Sequence, residues 1–244
     1  MPPDANRESG RWRSRLGTIP RMSPTPLAAE PLAVLCSGGV DSAVLLGEAL
    51  YRHPAVWPIY VRTGAQWEKV EQQFLNRFLD ALARPLLKPL VVLDQPVADL
   101  YGNHWSVTGK NVPDHQTPDE AVFLPSRNVL LLVKPMLWCH LNDVPQLALA
   151  PLAANPFPDA TPEFFKAFEK VANESVAGRV RIFWPYLYLK KAAVVRRGRD
   201  LPLQHTFSCI RPSRGRHCGT CNKCAERKRA FAEAGVADPT KYSA

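Results

Sequence analysis

From residue 32 onward, short apolar runs alternate with longer amphipathic stretches. The runs Leu32–Cys36, Val56–Val61, Leu90–Leu93, Gln146–Ala150 and Val180–Phe183 have the length of buried strands. Between them, Asp41–Arg52, Trp67–Ala83, Arg127–Leu141, Pro162–Ser175 and Lys190–Arg199 place apolar residues at helical spacing. Strands that alternate with helices of this length predict a parallel sheet covered on both faces. Right-handed crossovers then make it a doubly wound α/β fold. Ligands of such sheets bind beyond the carboxyl ends of the strands. Residues 95–125 break the rhythm, with Gly102, Gly109, Pro113 and Pro118 and little periodicity. A loop of that length in a compact domain is functional or mobile. Pro135 falls inside the third helix and predicts a kink there.

The first strand runs into Cys36-Ser37-Gly38-Gly39-Val40-Asp41-Ser42, and the first helix follows at once. Two adjacent glycines let the backbone turn tightly and approach a ligand closely. The helix start turns unpaired N–H groups and the positive end of its dipole toward the loop, which suits an anion. Ser37, Asp41 and Ser42 add polar groups around it. The Walker loop, Gly-x-x-x-x-Gly-Lys-Ser/Thr, is absent from this segment. Cys36 closes a buried strand and has a packing role as well as its place in the loop. Cys139, among apolar residues, reads as a core residue.

Near the C-terminus, Cys209, Cys218, Cys221 and Cys224 lie within sixteen residues. Four thiols at this spacing can converge on one tetrahedral zinc, with Gly219 easing the turn between ligands. A redox Cys-x-x-Cys needs only two of them, and an iron–sulfur cluster also uses four. A zinc ribbon gripping nucleic acid is a further alternative, since Arg211, Arg214, Arg216, Lys223, Arg227, Lys228 and Arg229 are close by. Zinc held by four cysteines has no open position, so its role would be structural.

Composition narrows the class. At 244 residues with 46% hydrophobic content, the chain can bury one good core plus a small appendage. No apolar run reaches the roughly 18–20 residues of a membrane helix, and the N-terminus lacks a secretory apolar stretch. A cytoplasmic location is the default expectation, with no membrane partner. The net charge of +9 is uneven, because residues 179–229 hold fourteen Lys/Arg against Asp200 and Glu226. Metal-bound thiolates would offset part of that charge, so it does not by itself imply nucleic acid. Residues 1–30 mix Arg, Pro, Ser and Gly without periodicity and read as a disordered or loosely attached arm. Residues 31–200 then form the α/β domain, and 201–244 a small cysteine-bearing tail with a short helix.

The glycine loop resembles the pyrophosphate loop (PP-loop) of the ATP pyrophosphatase superfamily, whose fold is adenine nucleotide alpha hydrolase-like. Loop and cysteines together, in this order, resemble the 7-cyano-7-deazaguanine synthase family over roughly residues 31–241. Phe123-Leu124-Pro125-Ser126-Arg127-Asn128 and Phe157-Pro158-Asp159-Ala160-Thr161-Pro162-Glu163-Phe164 are similar to two of its elements. The segment from Thr206 to Arg227 is similar to its zinc tail, and Lys190-Lys191-Ala192 to a helix start. Two segments depart from the family pattern, Arg62–Glu68 and Ala153–Pro156.

The resemblance implies ATP, Mg2+ and one structural Zn2+ per chain. It implies a small-molecule deazapurine carboxylate and ammonia as substrates, and a homodimer. Nucleic acid is not expected as a partner. Ser37, Asp41 and Ser42 would act in catalysis, within the phosphate-binding set Cys36, Ser37, Gly38, Gly39, Val40, Asp41 and Ser42. Arg127, Asn128 and Lys190 would help bind nucleotide. Arg127 and Asp159 would contact the deazapurine, and the four cysteines would hold zinc. Two rivals stand beside this reading. One is a PP-loop enzyme adenylating a tRNA base, and the other a nucleic-acid-binding zinc protein.

Overall fold

A computed structural model describes residues 29–82 and 84–243 of the chain. The expectation of an N-terminal arm lies, save for its last two residues, outside them. Five strands form one sheet: β1 (Leu32–Leu35), β2 (Val56–Arg62), β3 (Val91–Asp94), β4 (Gln146–Ala148) and β5 (Arg181–Phe183). All neighbours are parallel, in the order β3-β2-β1-β4-β5. The helices are α1 (Val40–Ala49), α2 (Glu68–Leu82), α3 (Ala98–Tyr101), α4 (Trp105–Thr108), α5 (Arg127–Leu141), α6 (Pro162–Glu174), α7 (Lys191–Arg197) and α8 (Asn222–Ala234).

Every strand and long helix expected from periodicity is present, with ends shifted by a few residues. The segment 95–125 differs. It holds the single-turn helices α3 and α4 and a 3-10 turn at Asp119–Val122. Elements of four residues are too short to repeat a pattern. Helix α5 runs unbroken through Pro135, which is buried.

The sheet divides the core. On one face Val44, Leu46, Leu75, Phe78 and Val194 pack with Phe231, so α1, α2, α7 and α8 share one layer. On the other, Leu132, Met136 and Phe165 carry α5 and α6. Contacts this close need small residues. A Cβ on Gly198 would lie 2.3 Å from Val44 Cγ2, so glycine allows α7 to end against α1. A third apolar cluster joins Trp67, Val122, Leu124 and Phe207 to the four cysteines, roofing the carboxyl end of the sheet.

The connections leave β1 for one layer and β4 for the other, so the winding reverses between these two neighbours. That crevice is where a doubly wound sheet offers a ligand site.

Candidate active site

A cavity of about 390 Å3 opens at this crevice. Its wall draws on Cys36, Ser37, Gly39, Val40, Asp41 and Ser42 after β1, Tyr60 and Thr63 at the end of β2, and Leu149–Leu152 after β4. The long loop supplies Trp105 and Asp119, and the C-terminal tail Phe207, Ser208 and Ile210.

The loop is built as its sequence suggests. Gly38 has φ +77°, a conformation that L side chains rarely adopt. An added Cβ there would also meet Leu75 Cβ at 3.3 Å and the Glu71 carbonyl oxygen at 3.4 Å. Phe207 donates its N–H to the Gly38 carbonyl at 2.7 Å, tying the tail to the loop. Ser42 Oγ donates to the Gly39 carbonyl at 3.2 Å, closing the first turn of α1. Asp41 Oδ2 accepts from Lys191 Nζ at 3.1 Å, whereas its Oδ1 is buried with no hydrogen-bond partner. An orphaned carboxylate oxygen beside an anion loop suits a hard, oxygen-seeking cation.

Arg127 and Asn128 begin α5. Ser126 just before them has φ +56°, unusual for a residue with a side chain. Asn128 is bracketed by Asp159, with its backbone N–H on Asp159 Oδ2 at 2.9 Å and its Nδ2 on the Asp159 carbonyl at 2.8 Å. All three residues line the cavity, but one Asp159 oxygen is thus committed to holding the α5 start. Part of the lining is aromatic. Trp67 stacks on Trp105 with centroids 5.7 Å apart, and Phe157 is nearby in the lining.

Among the expected residues Gly38 does not line the cavity but shapes the loop, and Lys190 does not line it either. Lys190 caps α7 from outside, exposed and away from the cavity wall. Its neighbour Lys191 enters instead, bound to both Asp41 and Glu226. Burial alone would lower the Lys191 ammonium, but the two carboxylates more than offset it and raise it above its ordinary value. Glu226 is opposed in the same way. Burial would raise it, yet Lys191 and Lys223 bring it down to about 2.

Glu71 and Tyr60 were not singled out by sequence reasoning, because a lone Glu in an amphipathic helix carries no motif. Tyr60 donates its hydroxyl to Glu71 Oε2 at 2.7 Å. Burial pushes the Glu71 carboxyl up to about 7, against the Tyr60 hydrogen bond and the Arg127 charge. A carboxyl that titrates near neutrality can hold or release a proton in the cavity.

The four cysteine sulfurs all lie within 4.8 Å of one another. Cys209 and Cys221 Sγ are 3.8 Å apart, and Cys218 and Cys224 Sγ 4.0 Å. A tetrahedron of thiolates about 2.3 Å from one ion has edges of about 3.8 Å. Backbone N–H groups of Arg211 and Cys218 point at Cys209 Sγ, and those of Thr220 and Cys221 at Cys218 Sγ. Such donors favour thiolate, so the cluster can hold a metal ion. Arg227, only 1% exposed, does not serve the basic surface. It donates to Thr206 Oγ1 and the Leu203 carbonyl and binds the tail internally.

Over residues 32–235 the sequence matches the family described as "Queuosine biosynthesis protein QueC". A 7-cyano-7-deazaguanine synthase of Syntrophobacter fumaroxidans is 33% identical over 231 residues, spanning 86% of this chain and 94% of that protein. One from Solidesulfovibrio magneticus is 31% identical over 233 residues, spanning 88% and 97%. A third, from Rhizobium leguminosarum bv. trifolii, is 32% identical over 222 residues, spanning 86% and 90%.

Proposed function

The chain belongs to the queuosine biosynthesis protein QueC family, and we propose that its cavity converts 7-carboxy-7-deazaguanine, ammonia and ATP to 7-cyano-7-deazaguanine. It is a ligase forming carbon–nitrogen bonds on a small-molecule substrate. The observation that carries the reading is one cavity lined by both the glycine loop after β1 and the Arg127–Asn128–Asp159 bracket. An anion cradle and a heterocycle site thus meet across the crevice.

A carboxylate is a poor electrophile, so its oxygen first attacks the α-phosphate of ATP. An acyl adenylate forms and pyrophosphate leaves. The loop amides from Gly38 to Ser42 and the α1 dipole stabilise the charge that grows on the departing oxygens. Ser37 and Ser42 supply hydroxyls there, and Lys191 takes the part first expected of Lys190. Ammonia displaces AMP, losing a proton, to give the amide. The amide oxygen attacks a second ATP, pyrophosphate leaves again, and loss of AMP and protons leaves the nitrile. The near-neutral Glu71 carboxyl is placed to accept such protons. Asp41 would hold Mg2+ through its orphaned Oδ1, and the ion would neutralise triphosphate charge.

Trp67, Trp105 and Phe157 offer flat faces to the deazapurine. Arg127 reaches its carboxylate or a phosphate, and the uncommitted oxygen of Asp159 reaches its N–H edge. The cysteines would hold one structural Zn2+. A single ion suits sulfurs in mutual contact better than an iron–sulfur cluster, which sets its cysteines on separate irons. The ATP domain (31–200), the zinc tail (201–244), a cytoplasmic homodimer and the absence of a nucleic-acid partner complete the reading.

The test of the loop is AMP and pyrophosphate release from ATP in the presence of the deazapurine. Ser37→Ala with Asp41→Ala should lower the rate by at least a hundredfold while the far-UV spectrum stays that of the wild type. A double variant that releases AMP at the wild-type rate would remove the loop from the mechanism.

A further inference from the structure

Helix α8 is started by the cysteine cluster, since Cys221 is its N-cap and Cys224 lies in its first turn. Two charged residues near the start of α8, Lys223 in its first turn and Glu226 one turn on, line the cavity with Lys191, Asp41 and Ser42. The four charged groups form a chain of alternating sign. Asp41 Oδ2 meets Lys191 Nζ at 3.1 Å, Lys191 Nζ meets Glu226 Oε1 at 2.9 Å, and Glu226 Oε2 meets Lys223 Nζ at 2.8 Å. No side chain of the four is more than 29% exposed.

An ordinary i,i+3 ion pair lies on a solvated helix face and contributes little. This pair is sheltered at the anion loop, where each charge loses water and needs a reason to be there. Its two lysines and two acids cancel. A polyphosphate entering beside Asp41 brings several negative charges and upsets that balance. Lys191 is tied to two carboxylates, whereas Lys223 gives Glu226 one of its three N–H donors and keeps a flexible stem. Lys223 is therefore the cation free to turn toward the incoming anion.

We infer that Lys223 is a second polyphosphate-binding lysine, carried to the glycine loop by the cysteine-cluster helix and held ready by Glu226. The metal-binding tail then supplies part of the nucleotide site, with pyrophosphate or the β- and γ-phosphates of ATP as ligand. This inference rests on the proposed reading of the loop as a polyphosphate cradle.

The experiment is calorimetric titration of the full chain, metal-loaded, with inorganic pyrophosphate and magnesium. Lys223→Met should weaken binding by at least tenfold and raise the KM for ATP more than it lowers kcat. Lys223→Arg should restore most of the affinity. Arg229→Met, an equal loss of charge at an exposed position of the same helix, should bind as the wild type does. Metal content and melting temperature check each variant. If Lys223→Met loses metal, Lys223→Gln carries the same comparison. Equal affinity in the wild type and the Lys223 variants overturns the inference and leaves the cradle standing. A wild type that binds no pyrophosphate overturns the cradle itself, and the inference with it.

Discussion

Glu71 shows how far a single side chain can depart from its behaviour in water. Its neighbours are Tyr60 from β2, Glu68 on its own helix and Arg127 from α5, and burial outweighs them to leave the carboxyl at about 7. In an unfolded chain the same group titrates near 4.5. Between those two values the folded chain keeps a proton that the unfolded chain has released. The contribution of Glu71 is thus fully present below about pH 4.5 and is lost as pH rises toward 7. Relative to Glu71→Gln, wild-type stability should fall by on the order of 2 kcal/mol from pH 4.5 to 7.5, allowing for partial exposure. Urea unfolding of both proteins at each pH checks this, and a gap that does not change with pH would contradict it. Lys191 teaches a related lesson about legibility. A two-lysine motif at a helix start shows that an ammonium enters the site without showing which one. The helix boundary selects Lys191, because Lys190 is the extended N-cap and Lys191 the first helical residue, with Ala192, Val194 and Val195 buried behind it.

At the scale of elements, α8 and the cysteine turn stand apart from the rest. The long helices follow from their period, because each must hide one face, and the strands from continuous apolar runs, because the central ones are buried on both faces. The cysteine segment from 209 to 221 contains no α-helix or β-strand of its own, but its sulfurs converge on one point with Cys224. The metal ion proposed there would order the segment, so its removal should act locally first. Cys221→Ser should reduce bound zinc from about one ion per chain to a small fraction, measured by elemental analysis. Zinc binding supplies on the order of 10 kcal/mol to small cysteine domains. The variant should accordingly be cut by protease between residues 201 and 221 before the sheet unfolds. Full metal content would remove Cys221 from the ligand set, and uniform digestion of a metal-depleted variant would show that the tail folds by packing alone. Spacing of cysteines made this element readable. The helices α3 and α4 were not, since four residues have no period, and Trp67 and Trp105 become an aromatic wall only once both meet at the site.

For the molecule as a whole, strand order decides where chemistry can happen. Alternating strands and helices announce a parallel sheet, but no residue in them states that β4 lies beside β1. That neighbour relation brings Leu149–Leu152 opposite the glycine loop. It also lets the tail return, with Phe207 on Gly38 and Lys223 and Glu226 at Lys191, to close the cavity from a third direction. Among the described residues, no helix is long and apolar enough to cross a membrane. The loop and the cysteines were legible because each is a local motif. The acid pair Glu71–Tyr60 and the ion chain through Glu226 were not, because they exist only after distant segments meet.

The most direct measurement is mass-spectrometric product analysis of purified, zinc-loaded protein with magnesium, ATP, ammonium and 7-carboxy-7-deazaguanine. The wild type should form 7-cyano-7-deazaguanine with two AMP per nitrile, and the Ser37→Ala, Asp41→Ala variant neither product. ATP turned over with the deazapurine unchanged would contradict the proposed reaction.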